Sequence, residues 1–288
     1  YTTVDEAMRP HQVRRHTLGE PPAGDVTVVR EDDDRFFLTL ERSRSGQYVF
    51  VQADSAITSE VRYLPTASPQ GEFRAVIPRR QGVEYAVEHH GDRFLVHTNA
   101  EAINFKLLSV PVATSDDPDT WAELIAHDEQ VTLSGVDAFK EHLAIFERRD
   151  GLPTVRVRRW DAPDDGSKDV VIPMDEPTYD VWGGANAEFD TDTLRYEYTS
   201  LVTPRTTYDV HMDTGARKAI KVRPVRGYDR ARYGTSRVWA TAKDGTKVPI
   251  SLVFPAGADA ALDGSRPLFL HGYGSYGYAY DAKFSSNW

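Results

Sequence analysis

Short stretches of alternating apolar and polar residues fill the chain from about residue 36 to about residue 222, and turn residues separate them. Alternation with a period of two is typical of half-buried β-strands, whereas an amphipathic helix shows a period near 3.6. One type of strand recurs along this region. Its anchor positions are separated by 46, 49 and 51 residues, and they are Tyr48, Phe94, Leu143 and Leu194.

Each recurring unit is predicted to contain four strands. In the first unit the anchor strand at 47–51 precedes a further strand at 61–64 and a short closing strand at 73–77. Four strands in about 50 residues is the period of a β-propeller blade. An antiparallel β-sandwich is the alternative, but it does not predict a repeat of this length. The sequence therefore predicts a mostly β fold that contains about four propeller blades.

Residues 1–30 predict part of a preceding blade, with strands at 12–16 and 26–29. Propeller blades stack only on their neighbours, so an unclosed arc leaves apolar faces bare. We therefore expect a partial propeller, namely four blades and a remnant, with further blades encoded upstream of Tyr1.

The pattern changes after residue 222, where the segment 224–227 predicts a linker. Two alternating runs, 236–242 and 247–254, flank an Asp-Gly turn and predict a β-hairpin. The apolar run 267–270 then predicts a buried strand that ends in a glycine-rich turn. A hairpin followed by such a strand and turn is how the sheet of an α/β-hydrolase begins.

The sequence therefore predicts two domains. The first is an incomplete β-propeller domain at 1–226, and the second is the start of an α/β-hydrolase domain at 227–288. Because this second domain contains only its first strands, we expect the natural protein to extend beyond both ends of the chain.

The composition excludes several classes of protein. The 288 residues include 34 basic and 44 acidic side chains, and the formal net charge of −10 argues against a nucleic-acid partner. The chain contains no cysteine, so a disulfide framework, a thiolate zinc site and a cysteine nucleophile are excluded. No run approaches the roughly 18 uncharged apolar residues of a membrane span, and the first residues do not form a signal peptide.

The glycine-rich turn carries the main candidate chemistry. Gly272, Gly274 and Gly277 would allow the backbone to turn tightly and to approach a ligand. A tyrosine hydroxyl such as that of Tyr273 can donate to a developing oxyanion in a hydrolase. From spacing alone, an ordinary turn with packed rings is the favoured interpretation. Ser275 is rejected as a nucleophile, because the G-x-S-x-G elbow needs glycine where Tyr273 stands.

Two further clusters allow more than one interpretation. His89 and His90, together with His97, could ligate a metal. Adjacent residues of a strand point to opposite faces, however, so one packed and one polar histidine is expected. The basic alternation of Arg156, Arg158 and Arg159 fits a solvated blade edge as well as it fits an anion site.

The motif at 272–277 resembles the prolyl oligopeptidase family, in particular its oligopeptidase B branch. Matching segments follow in the same order along nearly the whole chain, and they include 10–16, 58–64, 195–204 and 242–246. The resemblance implies a seven-bladed β-propeller that caps an α/β-hydrolase peptidase domain.

The resemblance also implies roles for individual residues. Tyr273 matches the tyrosine whose hydroxyl completes the oxyanion hole of the family. Asp281 matches the first of two aspartates that favour a basic residue next to the cleavage-site residue, and Lys283 stands where the second would be. The catalytic serine, aspartate and histidine of the family belong to a part that this chain does not contain.

The implied function is that of a serine endopeptidase which cleaves oligopeptides after Lys or Arg, with the propeller as a filter for substrate size. No cofactor, nucleic-acid partner or membrane is expected, and the expected location is cytoplasmic. A prolyl or acylaminoacyl peptidase of the same architecture is one alternative. A non-catalytic propeller that serves as a binding platform is another.

Overall fold

The computed structural model describes residues 1–163, 165–257, 264–275 and 278–286. Its described part consists of antiparallel β-sheets and four short 3₁₀ helices, which are Pro22–Gly24, Val112–Thr114, Pro118–Thr120 and Arg230–Arg232. Within these residues, no helix is long and apolar enough to cross a membrane.

A three-stranded sheet opens the chain, and a four-stranded sheet follows it. The first has the order β1 (Thr2–Val4), β2 (Pro10–Arg15), β3 (Val26–Arg30). The second has the order β4 (Phe37–Arg42), β5 (Tyr48–Asp54), β6 (Ser59–Pro65), β7 (Arg74–Ala75). The predicted strands of the preceding blade are confirmed as β2 and β3.

Three further sheets have four strands each, taken in chain order. One contains β8 (Tyr85–His90), β9 (Arg93–Thr98), β10 (Lys106–Pro111) and β11 (Ala122–Ile125). The next contains β12 (Val131–Ala138), β13 (His142–Arg149), β14 (Leu152–Arg159) and β15 (Val170–Val171). The last contains β16 (Tyr179–Gly183), β17 (Thr193–Ser200), β18 (Thr206–His211) and β19 (Arg217–Val222). Each predicted anchor strand is the second strand of its sheet, so the four-stranded repeat is confirmed.

The chain divides into two compact units. The first comprises Tyr1–Leu143 with Ala187–Thr191, and the second comprises Ala144–Asn186 with Asp192–Trp288. The predicted boundary between residues 226 and 227 stays a prediction.

The core of the first unit lies between neighbouring blades. Phe94 of β9 meets Phe50 of β5 and Tyr63 of β6, with ring centroids 5.9 and 4.8 Å apart. These rings belong to one cluster of buried apolar residues contributed by both sheets. Such face-to-face packing of consecutive four-stranded sheets is the arrangement that a propeller requires.

In the second unit, the last four-stranded sheet carries buried side chains, among them Leu194 and Tyr196 of β17 and Val210 of β18. A hairpin follows, formed by β20 (Tyr233–Thr241) and β21 (Lys247–Pro255). This hairpin confirms the prediction from the Asp-Gly turn.

The predicted buried strand at 267–270 is wrong. These residues have no regular secondary structure, and the side chains of Leu268, Phe269 and Leu270 are exposed. A strand needs neighbours for its backbone N–H and C=O groups. None of the described strands pairs with this run, so its apolar composition alone does not produce one.

Candidate functional site

The glycine-rich turn holds the first candidate residue. The side chain of Tyr273 is 51% exposed, and its ring lies edge-on to Tyr278 with centroids 5.9 Å apart. At Gly272 and Gly274 an added Cβ would meet no atom within 4 Å. The structure therefore shows no crowding at these two glycines, and the close approach of a ligand stays a prediction. Tyr276 and Gly277 lie outside the described residues.

The turn is connected to the segment that follows it by a second aromatic contact. The imidazole of His271 lies edge-on to Tyr280, with centroids 4.5 Å apart. The backbone N–H of Tyr278 donates to the carbonyl of Ser275 at 3.1 Å. The turn residues thus fold back onto residues 278–280, which directly precede Asp281.

Asp281, the second candidate residue, is held by a guanidinium. Arg148 donates from Nη1 to Oδ1 at 2.8 Å and from Nη2 to Oδ2 at 3.0 Å. The two side chains are 26% and 15% exposed, respectively. A bidentate pair of this kind is stronger and more directional than a single charged hydrogen bond. Both oxygens of the candidate carboxylate are therefore already engaged.

The position of Arg148 follows from the hairpin that it precedes. Asp150 and Gly151 form a two-residue turn between β13 and β14, with φ of +49° and +75°. Left-handed φ values at both central positions are typical of the type I′ hairpin turn, which favours Asp-Gly. Arg148 also donates from Nη1 to the carbonyl of Gly151 at 3.0 Å, so the turn helps to orient its guanidinium.

A second ion pair lies two residues after the first. Lys283 Nζ is 3.3 Å from Oδ2 of Asp180 on β16, and it lies 5.9 Å from the centre of the Trp182 ring. Asp180 is buried, and burial together with the nearby carboxylate of Asp281 raises the pKa of its carboxyl. The lysine therefore meets an anion that water solvates poorly, which strengthens its attraction.

Residues between and after these two pairs are also held. Ala282 is buried, and the backbone N–H of Phe284 donates to Oγ1 of Thr199 on β17 at 3.2 Å. The ring of Phe284 lies edge-on to Tyr228, with centroids 4.8 Å apart. Residues 281–284, which we call the anchored segment, are thus bound to strands of the second unit.

Tyr273 and Asp281 therefore have different surroundings. The first is half exposed among aromatic rings, and the second is paired with Arg148. Sequence reasoning missed Arg148, Asp180 and Thr199, which lie about a hundred residues away in the chain. The Asp-Gly dipeptide at 150–151 predicts the turn beside Arg148 but not the pairing of the arginine.

The two adjacent histidines behave as expected of a strand. His89 is buried, with Nδ1 2.8 Å from Oγ of Ser45, and Nε2 of the half-buried His90 lies 2.9 Å from the carbonyl of Lys140. This confirms one packed and one polar histidine. In the described part of the chain, no group of three or more His, Asp or Glu side chains could hold a metal ion.

Both interpretations are wrong for Arg156 and Arg158. Arg159, whose side chain is 42% exposed and pairs with Asp161 and Asp213, does lie at a solvated position at the end of β14. Arg156 binds Glu147 and Asp169, and Arg158 donates from Nε to Oδ1 of Asp169 at 2.9 Å. The Arg158 side chain is only 5% exposed, so it lies neither at a solvated edge nor in an open anion site. Carboxylates from the neighbouring strand and loop neutralise both guanidinium groups, and the alternation could not show this.

A family profile described as "Prolyl oligopeptidase, N-terminal beta-propeller domain" matches residues 1–223. The chain belongs to the prolyl oligopeptidase family. The membership that the sequence motifs predicted is therefore confirmed, as is the partial propeller.

Individual relatives agree with this result. Dipeptidyl aminopeptidase BI of Pseudoxanthomonas mexicana is 40% identical over 282 residues, which cover 97% of this chain and 38% of that protein. Protease 2 of Moraxella lacunata is 38% identical, over 99% of this chain and 40% of its own length. The chain thus spans about 40% of the length of these curated relatives.

Among solved structures, oligopeptidase B from Trypanosoma brucei, in a closed form with covalently bound antipain, matches with a TM-score of 0.86 and 34% identity. The match covers 100% of this chain and 41% of that one. Oligopeptidase B from Leishmania major matches with a TM-score of 0.84 and 33% identity, over 99% of this chain and 40% of that one.

Proposed function

We propose that this chain is the propeller part, with the beginning of the catalytic domain, of a serine oligopeptidase that cleaves short peptides after Lys or Arg. The observation that carries the proposal is the likeness to oligopeptidase B over the whole chain, at 34% identity. Membership of the family supports a peptidase, and the named relatives support this branch of the family.

The proposed mechanism is acyl transfer through a covalent intermediate. A serine, activated by a histidine, attacks the scissile carbonyl, and water later hydrolyses the acyl-enzyme. Both residues, and the aspartate that orients the histidine, would come from a part of the protein outside this chain. The hydroxyl of Tyr273 would donate to the oxyanion. The propeller would limit access to short peptides.

The proposed role of Asp281 is to contact the substrate residue next to the cleavage-site residue. Because Arg148 already binds both of its oxygens, a basic substrate side chain would have to share the carboxylate with a guanidinium. The nearby ammonium of Lys283 adds a second positive charge. We therefore expect only a weak preference for a basic residue at this position.

The test of this proposal is a single substitution in the complete protein. Tyr273→Phe removes one oxyanion donor, and we expect kcat for an Arg-containing peptide to fall by about 10²- to 10³-fold with little change in KM. The measurement is steady-state kinetics on peptides that carry Arg, Lys or Pro immediately before the scissile bond. An unchanged kcat in the variant would refute the role of Tyr273, and cleavage after Pro alone would refute the proposed specificity.

One relative supports a second candidate function. The protein that is 40% identical over 282 residues is named a dipeptidyl aminopeptidase. Such an enzyme would need a free substrate N-terminus, whereas an endopeptidase would not. Comparing kcat/KM for the same Arg-containing peptide with a free and with an acylated N-terminus distinguishes the two activities.

A further inference from the structure

Within the second unit, the anchored segment lies between the glycine-rich turn and the strands of the propeller sheets. Upstream, the rings of Tyr278 and Tyr280 contact Tyr273 and His271 of the glycine-rich turn. Downstream, residues 281–284 are bound to strands of the propeller sheets. Few residues therefore separate the proposed oxyanion donor from a firmly held part of the chain.

The attachment consists of three different interactions on three strands. Arg148, near the end of β13, donates two hydrogen bonds to Asp281, and Asp180 on β16 forms an ion pair with Lys283. Thr199 on β17 accepts from the backbone N–H of Phe284. Each contact restrains a different residue of the segment, so together they restrict its sliding and its rotation.

We propose that Arg148 and Asp180 are positioning residues for catalysis, which act by fixing the anchored segment and thereby the turn that carries Tyr273. This inference rests on the proposed function, because it assigns the two residues an effect on the oxyanion donor. Neither residue touches the reacting atoms. Both act through residues 278–284.

The size of the effect follows from the demands of an oxyanion hole. A donor stabilises the transition state only if it lies within hydrogen-bond distance of the oxyanion, and a misplacement of about 1 Å can cost about 10²-fold in rate. Arg148→Met removes both hydrogen bonds to Asp281 but keeps an apolar side chain of similar length. We expect it to lower kcat of the complete protein by about 10- to 100-fold, with little change in KM for a peptide that has no basic residue next to the cleavage-site residue.

The decisive measurement is a double-mutant cycle between Arg148→Met and Tyr273→Phe. If Arg148 acts through Tyr273, the arginine substitution should lower kcat less than twofold in the Tyr273→Phe background. A general loss of structure, or a direct role in substrate recognition, would instead lower the activity by the same factor in both backgrounds. That result would overturn the inference. Arg148→Lys, which keeps the charge but not the paired geometry, should give an intermediate kcat.

A measurement without substrate tests the anchor itself. Hydrogen exchange of the Phe284 amide reports on its bond to Thr199, and Arg148→Met should accelerate it at least tenfold. Arg195→Met is the matched control, because Arg195 forms a similar bidentate pair with Asp209, at 2.7 and 2.9 Å, between β17 and β18. It should leave this exchange rate unchanged.

The exchange measurement also separates the two proposals. Unchanged exchange of the Phe284 amide in Arg148→Met would overturn the inference, whatever the enzyme does. If the unmodified complete protein cleaved none of the peptides while the exchange accelerated, the proposed function would fail but the anchor would stand.

Discussion

Glu88 in the first unit provides a prediction whose magnitude can be worked out from the structure. Its Oε1 is 3.4 Å from Nη2 of Arg44, whereas Oδ1 of Asp137 is only 2.7 Å from the same nitrogen. Burial raises the pKa of Glu88, and Arg44 opposes this effect only in part, because Asp137 and Glu41 add negative charge nearby. The result is a pKa of about 7.

The neighbouring His89 is shifted in the opposite direction. Its ring is buried, with a centroid 4.6 Å from that of Tyr48. Burial lowers its pKa from 6.5 to about 4, and the proximity of His90 contributes to the shift. The folded protein therefore keeps His89 neutral at pH values where the unfolded chain protonates it.

The two residues have opposite effects on stability between about pH 4.5 and 6.5. There the folded protein keeps a proton on Glu88 that the unfolded chain has lost, so the free energy of unfolding falls as pH rises. For His89 the unfolded chain holds the extra proton, so the same free energy rises with pH. Each slope is about 1.4 kcal/mol per pH unit, and the two nearly cancel.

Glu88→Gln removes the contribution of Glu88 to the pH dependence of the free energy of unfolding and leaves that of His89. Because the pKa of Glu88 moves from 4.5 to about 7, the variant should gain about 3 kcal/mol relative to the unmodified chain between pH 4 and pH 8. Taking the difference between the two proteins cancels the contribution of His89 and of every other group that the substitution leaves unchanged.

Urea unfolding followed by circular dichroism at half-unit steps of pH would measure this difference. Glu72→Gln, which removes an exposed carboxylate from the same unit, is the matched control. The reasoning is refuted if the difference between Glu88→Gln and the unmodified chain is the same at pH 4.5 and pH 7.5. It is also refuted if the difference falls as pH rises.

Two further substitutions test interactions inside the blades. Asp169→Asn should lower the free energy of unfolding by about 3–5 kcal/mol, because it removes the carboxylate that neutralises the buried Arg158. Urea unfolding would measure this loss, and a loss below about 1 kcal/mol would contradict the prediction. Tyr85→Phe removes a hydroxyl that donates to the Ile77 carbonyl at 2.6 Å and accepts from the Val61 N–H at 2.8 Å. The substitution should lower the free energy of unfolding by about 1–3 kcal/mol. An unchanged midpoint of thermal unfolding would show that these two hydrogen bonds do not stabilise the fold.

The repeat could be predicted because its signal is local and recurs. Every anchor strand is rich in apolar residues, follows a turn and lies about 50 residues from the next, so several copies reinforce one interpretation. The ends of the strands were less predictable. The closing strand expected at 73–77 contains only Arg74–Ala75, although the Val76 N–H still donates to the Val61 carbonyl at 2.9 Å.

The apolar run at 267–270 forms no strand, and none of the described strands pairs with it. A buried strand and an exposed apolar segment can have the same composition, and only pairing with a neighbour distinguishes them. The hairpin at 233–255 differs in this respect, since its Asp-Gly turn brings the partner strand with it. Local sequence therefore predicts a strand well when the same local sequence also supplies its partner.

The candidate site depends on pairings that no local pattern contains. Arg148 and Asp281 are 133 positions apart, and an arginine at the end of a strand is most often solvated. The motif supplies Tyr273 and Asp281, and the periodicity supplies the strands that carry Arg148, Asp180 and Thr199. Their meeting is a property of the fold alone. If the complete protein is a peptidase, strands of its propeller sheets also hold the segment that follows the proposed oxyanion donor.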